Sequence, residues 1–214
     1  MKSLVFIVSV FILLFFAPFS PISCRENDPL TWPWEMRLNK RQPPDIVLKT
    51  IGVKPGMIIG EVGAGRGRYT VHIASRVGPS GRIYANDIDQ NILRTLKMRC
   101  EGNGFTNVET ILGTTTDPKL PPGALDMVIM VNVVHELDKP VELLKNVSPS
   151  LKQEGLIVIV EGNLDKATPS DTVGWYTRSK LLKIYNDAGY FLVREETFLP
   201  KDNIYFLKRN PGEK

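Results

Sequence analysis

The residues of this chain best able to do chemistry are one acid and three glycines, in the run Glu61-Val62-Gly63-Ala64-Gly65-Arg66-Gly67. Glycines at alternate positions let a backbone turn sharply and approach a ligand without side-chain obstruction. The apolar run Met57-Ile58-Ile59 before them reads as a buried strand, and Tyr69, Ile73, Ala74 and Val77 after them recur at helical spacing. The loop therefore delivers the chain to a helix N-terminus, where free N–H groups favour an anionic ligand group. The spacing predicts a cofactor site of the form E-x-G-x-G-x-G, not the G-x-G-x-x-G of dinucleotide sites, and so argues against a nicotinamide enzyme. Twenty residues beyond Gly67, Asp87 ends a second strand run. A carboxylate there can accept from both hydroxyls of a ribose. His135 is the natural general base, since imidazole takes a proton near neutral pH; alternatively it opens the turn after its strand and hydrogen-bonds locally.

These residues need strand ends to hold them. Strand patterns fall at 57–61, 82–86, 108–112, 126–131 and 156–161, with helical stripes between them, and such alternation implies a parallel sheet covered on both faces. Asp89 can cap a helix marked by Ile92, Leu96 and Cys100 and stopped at Gly102-Asn103-Gly104. Asp138 can cap another that has Pro140 in its first turn and Val141, Leu144, Val147 and Leu151 as its stripe. A last helix covers about 178–188, and Tyr190 to Phe198 and Asn203 to Lys208 follow as strands. The link between those two is too short for a crossover helix, so they are antiparallel. The expected fold is α/β, a doubly wound, mostly parallel seven-stranded sheet with a C-terminal antiparallel hairpin, over residues 43–210.

This ordered series resembles the class I S-adenosylmethionine (SAM)-dependent methyltransferases. The glycine run looks like the family's first motif, and Ile83-Tyr84-Ala85-Asn86-Asp87-Ile88-Asp89 like its second. Leu112-Gly113 with Asp117 to Asp126 looks like the third. Met127 to Glu136 resembles the fourth strand and the segment facing the transferred methyl, and Leu151 to Glu161 the fifth strand, with Gln153 and Glu154 in place of the usual Pro-Gly. The resemblance implies SAM as cofactor. Glu61 would orient the loop and the cofactor's amino group, and the backbone of Gly63, Ala64, Gly65 and Gly67 would contact the methionine moiety. Asp87 would take the ribose, Ile88 the adenine face and Asp117 the adenine amino group. Asn132 would line the methyl-transfer site beside His135, and Arg66 either pairs with the cofactor carboxylate or points to solvent. The sulfonium makes its methyl electrophilic unaided, so the protein's task is to hold an acceptor in line and remove its proton. The reading from another class is a membrane-tethered binding or scaffold protein that retains the fold without turnover.

The N-terminus carries a second signal. Leu4 to Ala17 is apolar except for Ser9, shorter than the roughly 20 residues a membrane span needs, and Pro18, Pro21 and Cys24 follow. Residues 1–24 read as a signal peptide, a lipoprotein-type leader with lipid at Cys24, or a membrane anchor. Lys2 lies before the run and Arg25, Arg37, Lys40 and Arg41 after it, which opposes export, so the side of the membrane stays open. Residues 25–42, with Trp32 and Trp34, are a lid over the cleft, an interfacial segment or a piece packed beside the sheet. Trp175 and Tyr176, after the fifth strand, point to a small acceptor that is apolar or aromatic. With 214 residues, a net charge of +4 and scattered basic residues, no nucleic-acid partner is expected. Two histidines and two cysteines without clustering predict no metal site. Oligomeric state is left open.

Overall fold

The computed structural model describes residues 28–168 and 174–211; the leader-like residues 1–24, with Cys24, lie outside the described residues. Seven strands form one sheet: β1 (Ile58–Val62), β2 (Arg82–Asp87), β3 (Val108–Leu112), β4 (Leu125–Val131), β5 (Leu151–Gly162), β6 (Tyr190–Glu196) and β7 (Asp202–Arg209). Their order is β3-β2-β1-β4-β5-β7-β6. Pairs from β3 through β5 are parallel, and β7 runs antiparallel to both β5 and β6. The expected α/β fold is the observed one. Its strand order reverses between β1 and β4, so the two chains leaving those strands diverge and open a crevice at their carboxyl ends.

Burial on both faces follows from the strand sequences. In β4, Met127 and Ile129 enter one core while Val128 and Met130 enter the other. The first core is closed by residues of α2 (Pro44–Thr50), α3 (Thr70–Val77) and α4 (Gln90–Gly102), among them Val47, Val71, Ile73 and Leu96. The second is closed by α5 (Pro140–Val147) and α6 (Arg178–Asp187), through Leu144, Val147, Leu181 and Tyr185. Among the described residues no helix is long and apolar enough to cross a membrane.

Local signals mostly hold. Asp89 Oδ1 accepts the N–H of Asn91 at 2.7 Å and caps α4. That helix buries Leu93, Leu96 and Cys100, whereas Ile92 is half-buried. Asp138 does not cap α5: Pro140 takes the first helical position, so the cap falls on Lys139, whose side chain has no acceptor. Strand β5 starts earlier than expected, and residues 151–155 are already extended; the ladder to β4 absorbs the extra residues as an irregularity between Leu125 and Met127.

The segment before α2 is part of the globule. It contains a 3₁₀ turn at Pro33–Glu35 and the short α1 (Met36–Arg41). Glu35 and Arg99 of α4 are 0% and 4% exposed and form a bidentate pair, at 2.7 Å and 2.8 Å. Arg99 also donates to the carbonyls of Leu30 and Arg66 and lies 4.3 Å from the ring centroid of Trp32. Removing one member of such a pair leaves an uncompensated buried charge and costs about 3–5 kcal/mol. Arg99→Met is expected to lower the urea midpoint accordingly, and Glu35→Leu/Arg99→Met to recover part of the loss; a double variant worse than the sum of both singles would contradict this.

Candidate functional site

The cleft begins where β1 ends. Gly63 follows the strand with φ +70°, and a Cβ there would lie 2.5 Å from Cγ2 of Val133, so only glycine fits between the diverging chains. Gly65 has φ +56° and faces open space, the side from which a ligand approaches. The opening is a cleft of about 310 Å³ between Asp87 and Ile88 on one wall and Asn132 and Val133 on the other, with Thr114 and Thr115 at one end. The Ile88 side chain is 59% exposed there, a free apolar face beside the cleft.

Asp87 shapes the loop as well as facing the cleft. Its Oδ2 accepts the N–H of Gly65 at 2.9 Å and its Oδ1 the N–H of Asp89 at 3.1 Å. A carboxylate has about four acceptor positions, so capacity remains for hydroxyls. Asn86 donates from Nδ2 to the carbonyls of Ile111 and Pro118 and so tethers the 113–118 loop over the cleft. Asp117 lies outside the lining: it is exposed, and its Oδ1 accepts the N–H of Lys119 at 2.8 Å within its own turn. Asp126 sits near the start of β4, remote from the cleft, and bonds Lys152 and the N–H of Ile58.

Glu61 is buried beneath the glycine loop and accepts from Thr70 Oγ1 at 2.6 Å. Burial pushes its carboxyl up to about 7, against smaller downward pulls from the Thr70 bond and Arg68. Of the two loop arginines, Arg66 is exposed and only its backbone carbonyl is engaged, by Arg99. Arg68 turns inward: Nη2 donates to Gln42 Oε1 at 2.8 Å and Nη1 to Asn39 Oδ1 at 3.2 Å.

Asn132 follows β4 with φ +56°, a left-handed conformation that asparagine tolerates better than most residues. Its amide forms a reciprocal pair with that of Gln42, each amide donating to the other at 2.9 Å. Gln42 is fully buried, also donates to Asp202 Oδ1 at 2.9 Å, and accepts the Tyr69 hydroxyl at its carbonyl. Asp202 holds Arg41 through both oxygens, and Arg41 lies 4.3 Å from the ring centroid of Trp175. The 28–42 segment thus spans the glycine loop and reaches the methyl-transfer edge expected at Asn132.

His135 does not line the cleft wall. It turns toward β5, where Nδ1 lies 2.6 Å from Oε1 of the fully buried Glu161, while Nε2 lies 3.1 Å from Glu136 Oε1. Glu161 also accepts the N–H groups of Val134 and Gly162, which fixes the turn after β4. The Glu161 hydrogen bond raises the imidazole above its ordinary value, against the opposing effect of burial. Trp175 packs on Gly162, where a Cβ would lie 2.5 Å from its ring, and Gly174 stands beside the imidazole.

The description "methyltransferase domain" matches residues 60–159. A nocamycin O-methyltransferase of Saccharothrix syringae is 33% identical over 82 residues, 38% of this chain and 29% of that protein. A demethylmenaquinone methyltransferase of Geobacillus stearothermophilus is 25% identical over 115 residues, 54% of this chain and 49% of that protein. The chain spans about half the length, or less, of these curated relatives. The crystal structure of a SAM-dependent methyltransferase from Aquifex aeolicus superposes with a TM-score of 0.69 at 26% identity, covering 77% of this chain and 88% of that one. Residues 60–159 match a methyltransferase domain, and the sheet has the class I methyltransferase fold. The chain's cofactor is S-adenosylmethionine.

The fold lines one crevice with Gly63, Asp87, Ile88 and Asn132, keeps Ala64, Gly65 and Gly67 outside that lining, sets Glu61 beneath the glycine loop and His135 behind the crevice, and leaves Arg66 and Asp117 turned away. The polar groups fit SAM: an acid under the loop for the ammonium, Asp87 for the ribose hydroxyls, an apolar face at Ile88 for the adenine. Sequence reasoning missed Gln42, Arg68 and Asn86. Only Asn86 left a signal, a polar residue inside an otherwise apolar strand run.

The raised Glu61 value has a definite sign. The folded state holds this proton more tightly than the unfolded chain, so its contribution is full below pH 4.5 and is lost as pH rises through about 7. Over that window ligand-free stability should fall by about 3 kcal/mol from this group. Glu61→Gln keeps the Thr70 acceptor and should flatten the urea midpoint across the window. An unchanged pH slope in the variant would refute the assignment.

Proposed function

We propose that this chain transfers the SAM methyl group to a small, partly apolar acceptor and that His135 receives the acceptor's proton. The observation that carries the proposal is the His135–Glu161 pair at the carboxyl ends of β4 and β5, with Gly174 beside the imidazole and Trp175 on the neighbouring Gly162. When bound, SAM supplies an electrophilic methyl carbon whose bond to sulfur breaks with the electron pair remaining on sulfur. The acceptor's lone pair forms the new bond, and its proton passes to Nε2 once Glu136 releases that nitrogen. Glu161 holds Nδ1–H, keeps the ring oriented and stabilises the imidazolium. The small-molecule acceptors in the names of the nocamycin and demethylmenaquinone relatives support the substrate class. The apolar run Leu4 to Ala17 supports a membrane tether, which suits an apolar acceptor.

Carboxylates flank both ring nitrogens and raise the imidazole above its ordinary value in the free enzyme. The acid limb of kcat/KM should therefore lie above the ordinary histidine value, and Glu161→Gln should move it down. Ring-proton NMR on the ligand-free protein should show the same shift. With an acceptor found by following adenosylhomocysteine release across phenols and reduced quinones, His135→Gln should cost about 10²–10⁴-fold in kcat. Full turnover in His135→Gln would reduce the pair to its second role, securing the turn after β4 through Glu161. SAM binding with no release across the screen would favour the scaffold reading.

A further inference from the structure

Three arginines converge where the N-terminal segment crosses the glycine loop, and two of them have their own carboxylate. Arg99 is held by Glu35 and Arg41 by Asp202, each through two hydrogen bonds. Arg68 is different. Its polar partners are two neutral amide oxygens, Gln42 Oε1 at 2.8 Å and Asn39 Oδ1 at 3.2 Å, and its guanidinium lies 4.6 Å from the ring centroid of Tyr69. Burial pulls it below the ordinary guanidinium value. Among the described residues no carboxylate lies within ion-pair distance of it, and Glu35, Glu61 and Asp202 attract it only from farther away; its planar fork matches a carboxylate.

Position supplies the second half of the argument. Arg68 follows Gly67 and precedes α3, so it stands at the end of the glycine loop. It is joined to the cleft wall through two hydrogen bonds, to Gln42 and from Gln42 to Asn132. Glu61, beneath the same loop, interacts electrostatically with it. A buried acid and a cation whose hydrogen-bond partners are neutral amides, beside one loop, complement a zwitterionic amino acid: ammonium toward the acid, carboxylate toward the cation.

We infer that Arg68 is the anchor for the α-carboxylate of the cofactor's methionine moiety, and that the exposed Arg66 takes no part. This rests on SAM occupying the cleft. Gln42 and Asn39 hold the guanidinium in place beforehand, which lowers the ordering cost of binding. The N-terminal segment would then be part of the cofactor site through these two side chains.

Calorimetric titration of the full chain with adenosylhomocysteine and with 5′-methylthioadenosine tests the assignment. The second ligand keeps adenine, ribose and sulfur and lacks both ammonium and carboxylate. Arg68→Met should weaken adenosylhomocysteine by about 10–100-fold, the range of a lost charge-assisted bond, and leave methylthioadenosine within about twofold. Arg68→Lys keeps the charge without the fork and should fall between wild type and Arg68→Met. Arg66→Met should change neither ligand. Unchanged adenosylhomocysteine affinity in Arg68→Met would overturn the inference, and so would an equal loss of both ligands in Arg68→Lys, because that marks a structural role. If neither ligand bound the wild type, the cofactor reading itself would fall.

Discussion

The close approach of Gly63 to Val133 is the constraint on which the site depends. Strands β1 and β4 are neighbours, yet the chains leaving them turn to opposite faces of the sheet. Where they part, the backbone of one passes the side chain of the other with no room for a Cβ. The same divergence opens the crevice, so close packing at Gly63 and the space available to a ligand are two results of one geometry. Ile129 and Met130 bury this junction from the two faces and give the loop a rigid base.

A second layer of polar contacts closes that crevice along one edge. Gln42 uses both atoms of its amide and its carbonyl to join Asn132, Asp202, Arg68 and Tyr69, which come from three separate parts of the chain. Every member is buried or half-buried, and such a network holds a single arrangement because each alternative leaves a polar atom unsatisfied. Lys166 adds three carbonyl contacts, to Thr197, Leu199 and Asp202, on the far side of Asp202. Together the 28–42 segment, Lys166 after β5 and the β6–β7 turn are joined at Asp202.

The scaffold was legible in sequence because hydrophobic period and glycine spacing are local properties. Alternation in Met127 to Met130 and the cap at Asp89 each need only a few neighbouring residues to be recognised. The polar partnerships were not legible, because they join residues far apart in the chain. Gln42 meets Asn132 across 90 positions and Arg99 meets Glu35 across 64, and no local pattern marks either. The choice between Arg66 and Arg68 shows the limit most clearly. Both lie in or beside the glycine run, and only the turn entering α3 decides that one faces solvent and the other the protein.

Charge placement separates the two tasks such a site must perform. Beneath the glycine loop, Glu61 is held in a poorly solvated position that favours its neutral form until a cation arrives. At the end of β4 the opposite holds: two carboxylates favour the charged form of His135. Burial raises the loop's acid, whereas the imidazole is raised chiefly by its hydrogen bond to Glu161. Lower pH strengthens both forms, neutral acid and charged imidazole. The acid beneath the glycine loop and the imidazole thereby respond to pH in the same direction, although one stands on β1 and the other in the turn after β4.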